Sequence, residues 1–236
     1  MTREKIAEGV KGGITSIEGL IAQGRGEAFD YLIGERTTRP ASTSTCAAAA
    51  MLLLARRPVL SINGNTAALV PREMVILAGL IDAPLEVNLF YRTEERVGRI
   101  ADLLRSCGAK KVLGEDPDSL IPGIDHQRAK ACRGGIYDAD VVLVPLEDGD
   151  RCEALVRMGK TVVTVDLNPL SRTARMATIT IVDNVVRAIP NLISATCELA
   201  GASNESLLDI VKGYDNIQML REILDLICVN IKGRLS

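Results

Sequence analysis

The sequence contains no tryptophan, only two phenylalanines and only four tyrosines among its 236 residues. We therefore do not expect an aromatic platform on which nucleic-acid bases stack. Acidic and basic side chains nearly balance, with 30 Asp and Glu against 28 Lys and Arg, so the basic surplus typical of nucleic-acid-coating proteins is also missing. These two shortages predict that nucleic acid is not a partner.

Only one histidine, His126, is present, and the six cysteines are scattered without a Cys-x-x-Cys pair. A structural zinc site needs clustered Cys and His ligands, and a Ser-His-Asp triad needs a histidine beside its nucleophile. The sequence also lacks a G-x-S-x-G elbow, a Walker loop and a G-x-G-x-x-G fingerprint. We therefore expect neither zinc nor a hydrolase triad, and we interpret His126 as a surface residue.

Long apolar segments are missing as well. The longest apolar run, 46–55, has ten residues, which is too short to cross a bilayer. The residues after Met1 are charged, unlike the start of a signal peptide. We therefore expect no membrane partner and a cytoplasmic protein whose cysteines stay reduced.

Short apolar segments alternate with helical patterns in the middle of the chain. The predicted strands are 59–62, 85–89, 111–113, 141–144, 161–165 and 178–182. This alternation predicts an α/β fold with a Rossmann-like, mostly parallel sheet and helices on both faces. We divide a single α/β domain, 1–236, into a helical N-terminal segment (1–57), the Rossmann-like core (58–200) and a helical C-terminal tail (201–236).

The N-terminal segment contains a first candidate phosphate site. Its helical pattern is predicted to end at Gly24-Arg25-Gly26, and a second short helix is predicted from Glu27 to Ile33. The two glycines let backbone amides approach an anion, and Arg25 supplies a forked cation. The alternative is one helix end followed by one helix start, with Arg25 merely solvated. The pattern favours neither interpretation.

Ligands of parallel sheets bind where the carboxyl ends of strands meet helix N-termini, so polar residues after strands are candidates. After the fifth predicted strand, Asp166 suits a ribose hydroxyl and Asn168 suits a base or ribose edge. Arg172 and Thr173 suit phosphate oxygens at a helix start. The structural alternative is a turn with Ser171 as helix cap, which we favour less.

The other post-strand loops are more ambiguous. The acidic run 147–150 suits Mg²⁺, but acids are equally expected in the first turn of a helix. Asn184 is either a helix cap or a contact for adenine or ribose. Residues 63–66 form a turn by default, but after a buried strand Asn63 and Asn65 can also present amide groups to a ligand. Arg92 with Glu94 is more often a surface salt bridge than a substrate clamp.

Six segments carry long motifs: Thr2-Arg3-Glu4-Lys5, 19–32, 61–71, 86–96, 140–150 and 166–184. From Thr2 to about Leu199, the chain resembles the archaeal phosphopantothenate synthetases, or 4-phosphopantoate–β-alanine ligases. The resemblance implies a Rossmann-like homodimer in coenzyme A biosynthesis. It also implies that ATP and Mg²⁺ activate 4-phosphopantoate as an acyl-adenylate, and that β-alanine displaces AMP.

The resemblance places the ATP contacts on Arg3, Arg25, Asp166, Leu167, Asn168, Arg172, Thr173, Asn184 and Val185. Arg25 and Arg172 are our catalytic candidates for neutralising phosphate charge, because a carboxylate attacking ATP brings two anions together. Our own hypothesis is that Asp148 or Glu147 holds the ammonium group of β-alanine or helps to deprotonate it. Our candidates for the acid substrate are Asn63, Asn65, Arg92 and Glu94; no residue is assigned to a metal.

Two departures from the family pattern stand out. Family members usually carry a further stretch upstream of the Thr2 motif, so Arg3 is expected on a terminus that frays. Gln23 stands where the family often has histidine, and an amide cannot become a cation. The alternative function is a non-catalytic nucleotide- or phosphometabolite-binding regulator, which has no need of all the phosphate-facing motifs. A pyridine-dinucleotide oxidoreductase fits the fold but not the missing glycine fingerprint.

Overall fold

The computed structural model describes residues 2–233 and contains a six-stranded sheet whose neighbouring strands all pair in parallel. The strands are β1 (Pro58–Ile62), β2 (Leu85–Val87), β3 (Val112–Leu113), β4 (Ser119–Leu120), β5 (Lys130–Ala131), β6 (Val141–Leu143), β7 (Thr161–Val165) and β8 (Ile179–Ile181). The sheet order is β3-β2-β1-β6-β7-β8, while β4 and β5 form a separate antiparallel pair. This is the doubly wound order of the Rossmann fold, so the predicted fold class is confirmed.

Helices connect and flank these strands. They are α1 (Thr2–Lys11), α2 (Ile17–Ile33), α3 (Arg39–Leu54), α4 (Gly64–Leu69), α5 (Pro71–Leu80), α6 (Glu94–Ser106), α7 (Gly149–Arg157), α8 (Arg172–Met176), α9 (Val185–Leu199), α10 (Asn204–Lys212) and α11 (Asn216–Gly233). Within residues 2–233, no helix is both long enough and apolar enough to cross a membrane.

Successive residues of the central strands point to opposite faces of the sheet, as the pleat requires. Leu60 and Val163 pack on the face covered by α3, α5, α6 and α9. Val59 and Val162 pack on the other face with α7 and the irregular segment 121–139. Each face therefore buries its own apolar core under helices, which explains why these strands are apolar on both sides.

The predicted helix end at Gly24-Arg25-Gly26 is wrong, because α2 runs unbroken from Ile17 to Ile33. The chain breaks earlier, between α1 and α2, where Gly13 has a φ of +68°. Each interior glycine costs a helix about 1 kcal/mol, a cost that the packing of α2 against α1, α4 and α11 offsets. The backbone amides at the two glycines therefore belong to the helix ladder, and the anion nest predicted there does not form.

The C-terminal tail folds back on the core as two helices separated by residues 213–215. Helix α10 packs on α3, and α11 packs on α2, α3 and α8. Leu220 and Ile223 of α11 join Leu167 in a third apolar cluster, so the tail supports the loop that follows β7. The predicted tail is helical as far as Gly233; its last residues, including Leu235, and Met1 lie outside the described range.

Candidate active site

A cleft opens at the carboxyl ends of β1 and β6, where the strand order of the sheet reverses and doubly wound folds bind their ligands. It consists of a first cavity of about 510 Å³ beside the β7–α8 loop and a second of about 270 Å³ beside the loop after β2. Both are lined by Ala22, Arg25, Asn65, Leu146, Glu147 and Asp148. These shared residues mark the junction between the two cavities.

The loop after β6 forms the floor of this junction. Leu146 has a φ of +57°, in the left-handed region that few non-glycine residues adopt. Asn63 fixes the turn, because its Nδ2 donates to the carbonyls of Pro145 at 2.8 Å and Leu146 at 3.1 Å. The Oδ1 of Asn63 also caps α4 by accepting the Thr66 N–H. Asn63 therefore lines the second cavity while its amide is already bonded within the protein.

Two buried arginines hold the acidic start of α7 from below. Glu147, whose side chain is only 2% exposed, pairs with both Arg128 and Arg151. Arg128 also pairs with Asp148, and Nη1 of the fully buried Arg151 donates to Oγ of Ser61 at 3.3 Å. Burial lowers the pKa of each arginine to about 10, so both stay charged at neutral pH.

Asp148 lies at the junction and caps α7 by accepting the Arg151 N–H at 3.0 Å. Burial acts to raise the pKa of its carboxyl group. The charge of Arg128 and the hydrogen bond from the Arg151 N–H outweigh burial, so the pKa lies below its ordinary value. Asp148 is therefore a permanent anion between the two cavities.

The β7–α8 loop lines the first cavity, and it also forms the turn and cap that the alternative interpretation predicts. Asp166 accepts the Asn168 N–H at 2.9 Å and the Ser171 hydroxyl at 2.5 Å, and burial raises the pKa of Asp166. Ser171 caps α8, and the Thr173 hydroxyl donates to the Glu147 carbonyl at 2.9 Å. The loop is thus fixed to the β6–α7 loop before any ligand arrives.

Two cations border the first cavity, Arg25 from α2 and Arg172 from α8. Arg25 makes no hydrogen bond within residues 2–233, whereas Arg172 pairs with Asp150 and stays half exposed. Gly149 leaves the space that the Arg172 side chain occupies, because a Cβ there would collide with it. The structure therefore brings Arg25, Arg172 and Asp166 to one cavity.

Sequence analysis missed the role of Gln23 in this cavity. Its side chain is 95% buried, since only 5% of the residue is exposed, and it lines the first cavity. The amide makes no hydrogen bond within the described residues, and its polar atoms are not among the fully buried ones, so its polar end is open to the cavity. Phe29 and Leu167 supply apolar surface on the same side of the cavity.

Some predicted ATP contacts lie outside the cleft. Arg3 is exposed and lines neither cavity, and it bonds to Glu27 at 3.3 Å and to the Tyr31 hydroxyl at 2.6 Å. Asn184 is buried; it caps α9 and donates from Nδ2 to Asp30 of α2 at 2.9 Å. Val185, which follows it, is also buried. Their contacts with ATP stay predictions that the observed geometry does not support directly.

Of the residues predicted to bind the acid substrate, some line the cleft and others do not. Asn65 lines both cavities, where Nδ2 donates to the Gly19 carbonyl at 2.8 Å and Oδ1 accepts the Thr15 hydroxyl. Arg92 turns away and donates to the carbonyls of residues 114 and 115, and Glu94 is exposed in the first turn of α6. Neither of these last two lines the cleft. Arg96, one helical turn further on, and Arg128 do line it.

The described residues do not form a protein-only magnesium site. No group of three or more His, Cys, Asp or Glu among residues 2–233 is arranged to hold a metal. The acids of the run 147–150 are engaged by arginines: Glu147 and Asp148 by Arg128, and Asp150 by Arg172. These three carboxylates therefore already have cationic partners within the protein.

A doubly wound α/β sheet with an arginine-bordered cleft at its switch point defines a Rossmann-type protein whose cleft suits phosphate-bearing ligands. The family model described as phosphopantothenate/pantothenate synthetase matches residues 40–230. The chain belongs to this family, and the resemblance seen in the motifs is confirmed.

Curated relatives support the same assignment. The 4-phosphopantoate–β-alanine ligase of Thermococcus kodakarensis is 58% identical over 235 residues, covering 99% of this chain and 88% of the relative. The ligase of the same name from Methanosarcina mazei is 54% identical over 232 residues, covering 98% and 91%. That from Methanospirillum hungatei is 47% identical over 227 residues, covering 96% and 91%.

Proposed function

We propose that this chain is a 4-phosphopantoate–β-alanine ligase that uses ATP to make 4′-phosphopantothenate for coenzyme A biosynthesis. The observation that carries the proposal is the pair of adjoining cavities, with Arg25 and Asp148 at their junction. A ligase that activates an acid with ATP before an amine attacks needs such an arrangement. The acid must lie next to ATP in the first step and next to the amine in the second. The names of the relatives support the substrates.

The chemistry needs two displacements. In the first, a carboxylate oxygen of 4-phosphopantoate attacks the α-phosphorus of ATP, and the bond to diphosphate breaks to give an acyl-adenylate. In the second, the neutral amine of β-alanine attacks the acyl carbon, AMP leaves with the bonding electrons, and the amine loses a proton. Neither step needs a nucleophilic side chain, which agrees with the missing triad.

We assign the first cavity to ATP. Its volume of about 510 Å³ is within the range of ligand sites, and Phe29 and Leu167 suit a base. Arg25 and Arg172 neutralise the phosphates as the carboxylate approaches, which is worth about 2–4 kcal/mol for each such contact in other enzymes. Thr173 and Asn168 border the same cavity. Mg²⁺ arrives with the nucleotide as part of the substrate.

We assign the second cavity to the acid and to β-alanine. Asp148 lies at its boundary with the first cavity, close to where the acyl carbon must sit. Because the pKa of Asp148 is lowered, this carboxylate holds an ammonium group well but takes up a proton poorly. We therefore favour the binding role of Asp148 over the base role. We further propose that the protein acts as a homodimer.

The deciding experiment mixes the protein with ATP, Mg²⁺, 4-phosphopantoate and β-alanine and separates the nucleotides by chromatography. AMP formed in equal amount with 4′-phosphopantothenate is the expected result. ADP in its place would contradict the acyl-adenylate route, since it indicates an acyl phosphate. Tight ATP binding without any product would favour the non-catalytic regulator. Sedimentation of the same sample gives the oligomeric state.

A further inference from the structure

We propose that Asn88 is a positioning residue for the ligase reaction. It holds the backbone beside Arg128, so that Arg128 keeps Asp148 in place for the ammonium group of β-alanine. Asn88 lines neither cavity of the cleft, so its effect passes through Arg128, which lines the second cavity. The inference rests on the proposed function, because the assignment of β-alanine to Asp148 belongs to it.

Asn88 is a buried polar residue that directly follows β2. Its backbone N–H donates to the Ile62 carbonyl at 2.9 Å, so the neighbouring strand β1 fixes its position. Side chains two residues apart in a strand point to the same face of the sheet, so Asn88 shares its face with Glu86. Both side chains bond to the irregular segment 121–139, which covers this face. The end of β2 therefore presents two polar side chains to the segment that carries Arg128.

The carboxamide of Asn88 bonds to the backbone on both sides of residue 129. Its Nδ2 donates to the Lys130 carbonyl at 2.8 Å and, over a longer 3.4 Å, to the Arg128 carbonyl. Its Oδ1 is buried and accepts no hydrogen bond from residues 2–233. Because only the NH₂ end of an amide can donate to a carbonyl, these two bonds are the whole hydrogen-bonding role of the side chain within the described residues.

Two further side chains fix the same segment. Nδ1 of His126 accepts the Arg128 N–H at 3.2 Å, so the backbone of Arg128 is held by His126 on its amide side and by Asn88 on its carbonyl side. Glu86 accepts two backbone N–H groups further along the segment, at 3.0 Å and 2.7 Å. Because the only strands in the segment, β4 and β5, have two residues each, side-chain contacts of this kind determine where Arg128 lies.

The same arrangement occurs at the end of the neighbouring strand. Asn63 directly follows β1, and its Nδ2 donates to two backbone carbonyls of the loop after β6. That loop leads into Glu147, whose carboxylate pairs with Arg128. Asn63 therefore fixes one partner of this buried ion pair, and Asn88 fixes the other.

The position of Arg128 matters because its Nη1 pairs with one carboxylate oxygen of Asp148. The other oxygen accepts the Arg151 N–H at 3.0 Å, so the two contacts together set the orientation of the carboxylate. Without Asn88 the backbone beside Arg128 gains freedom, and the carboxylate of Asp148 is held less firmly. The cations that border the first cavity come from α2 and α8, so we expect the loss to impair binding of β-alanine and to spare ATP.

Hydrogen exchange tests the hold on the segment without any turnover. Asn88→Leu keeps the size of the side chain and removes both donated bonds. The rate of deuterium uptake in a peptide covering residues 127–133 should rise about 3–10-fold, as expected for the loss of one neutral hydrogen bond. The matched control is Asn230→Leu, because Nδ2 of Asn230 also donates to two successive carbonyls, those of Leu32 and Ile33, at 2.9 Å and 3.1 Å. The control should leave this peptide unchanged. Uptake at the native rate in Asn88→Leu would overturn the proposal.

Steady-state kinetics test the role in the reaction. In Asn88→Leu we expect the KM for β-alanine to rise about 3–10-fold, again the equivalent of one hydrogen bond. The KM for ATP should change less than about twofold, and Asn230→Leu should leave both values unchanged. An equal rise for both substrates, or faster exchange with an unchanged KM for β-alanine, would refute the positioning role. If the native protein forms no AMP, the proposed function fails, while the exchange result still shows whether Asn88 holds the segment.

A double variant shows whether Asn88 acts through Arg128. Arg128→Lys keeps the buried charge opposite Glu147 and removes the guanidinium that Asn88 positions. Adding Asn88→Leu to Arg128→Lys should then raise the KM for β-alanine by less than about a further twofold, because effects that share one route are not additive. Full additivity would refute the inference. Thermal melting verifies that each variant is folded, and Asn88→Ala replaces Asn88→Leu if leucine is not accommodated.

Discussion

Arg128 and Glu147 form an ion pair beneath the cleft, and their side chains are only 6% and 2% exposed. The pair joins the irregular segment between β3 and β6 to the loop that starts α7. Arg151 binds the other oxygen of the same carboxylate from inside the sheet. The loop that starts α7 is therefore held by largely buried charges that lie directly below the junction of the two cavities.

Removing the buried carboxylate should destabilise the protein strongly. In Glu147→Ala the buried Arg151 loses its ion-pair partner and Arg128 keeps only Asp148, so the free energy of unfolding is expected to fall by about 3–5 kcal/mol. The control is Glu153→Ala in α7, whose exposed partner Arg157 predicts a loss below about 1 kcal/mol. Urea unfolding measures both. Equal losses in the two variants would show that the buried network contributes nothing special.

Glu86 should make stability fall as the pH rises. This fully buried carboxyl on β2 has its pKa raised from 4.5 to about 7 by burial, against the pull of the backbone amides of Ile136 and Cys132 and the charge of Arg151. Between these two values the unfolded chain loses a proton that the folded chain keeps, so rising pH favours unfolding. The expected slope approaches about 1.4 kcal/mol per pH unit and vanishes above pH 7.

Urea unfolding at pH 5, 6, 7 and 8 measures that slope in the native protein and in Glu86→Gln. The amide cannot ionise, so the variant should lose this part of the slope even if its stability is lower throughout. Should the variant keep the same slope, the titrating group is not Glu86.

Replacing Arg172 should lower kcat/KM for ATP, whereas replacing Arg175 on the same helix should not. Arg172→Met removes a cation that borders the first cavity, and kcat/KM for ATP is expected to fall about 100-fold, in line with about 2–4 kcal/mol for each stabilising contact. Arg175→Met, on the same short helix but outside the cavity, should change it less than twofold. Steady-state kinetics with ATP as the varied substrate measure both values. Equal losses of kcat/KM in the two variants would show that Arg172 is not part of the ATP site.

Gln23→Leu should impair activity without destabilising the protein. Leucine has a similar size, and the amide that it replaces makes no hydrogen bond within the described residues, so we expect the free energy of unfolding to change by less than about 1 kcal/mol. The same replacement at the exposed Gln218 should leave both quantities unchanged. Melting curves and turnover are measured together, and a variant that is fully active would show that no ligand uses this amide.

Asp148→Asn isolates the charge of Asp148 from its capping role. Asparagine caps helices as well as aspartate does, so α7 should persist. We expect the KM for β-alanine to rise at least about tenfold, because one charge-assisted hydrogen bond to its ammonium group is lost. If turnover and the apparent affinities for Mg²⁺ and β-alanine all stay the same, Asp148 has no role in catalysis.

The local pattern of the sequence determined the fold class. The apolar segments that end at Ile62, Val165 and Ile181 are buried on both faces, so their composition alone predicted strands of a covered parallel sheet. The rule that ligands bind at the carboxyl ends of such strands also placed Asp148 and Arg172 at the cleft. Both inferences depend on near neighbours in the chain, which the sequence displays directly.

Only the tertiary structure decided which side chains meet in the cleft. Arg92 and Arg96 are only four residues apart in the sequence, yet Arg92 turns to the carbonyl of Gly114 while Arg96 borders the second cavity. Arg128 comes from a segment without periodicity, so no pattern could reveal that it reaches Glu147. The glycines around Arg25 predicted a chain break, but α2 is intact and packs against α1, α4 and α11. Side-chain direction and long-range packing determine these contacts, and neither can be predicted from the local spacing of residues in the sequence.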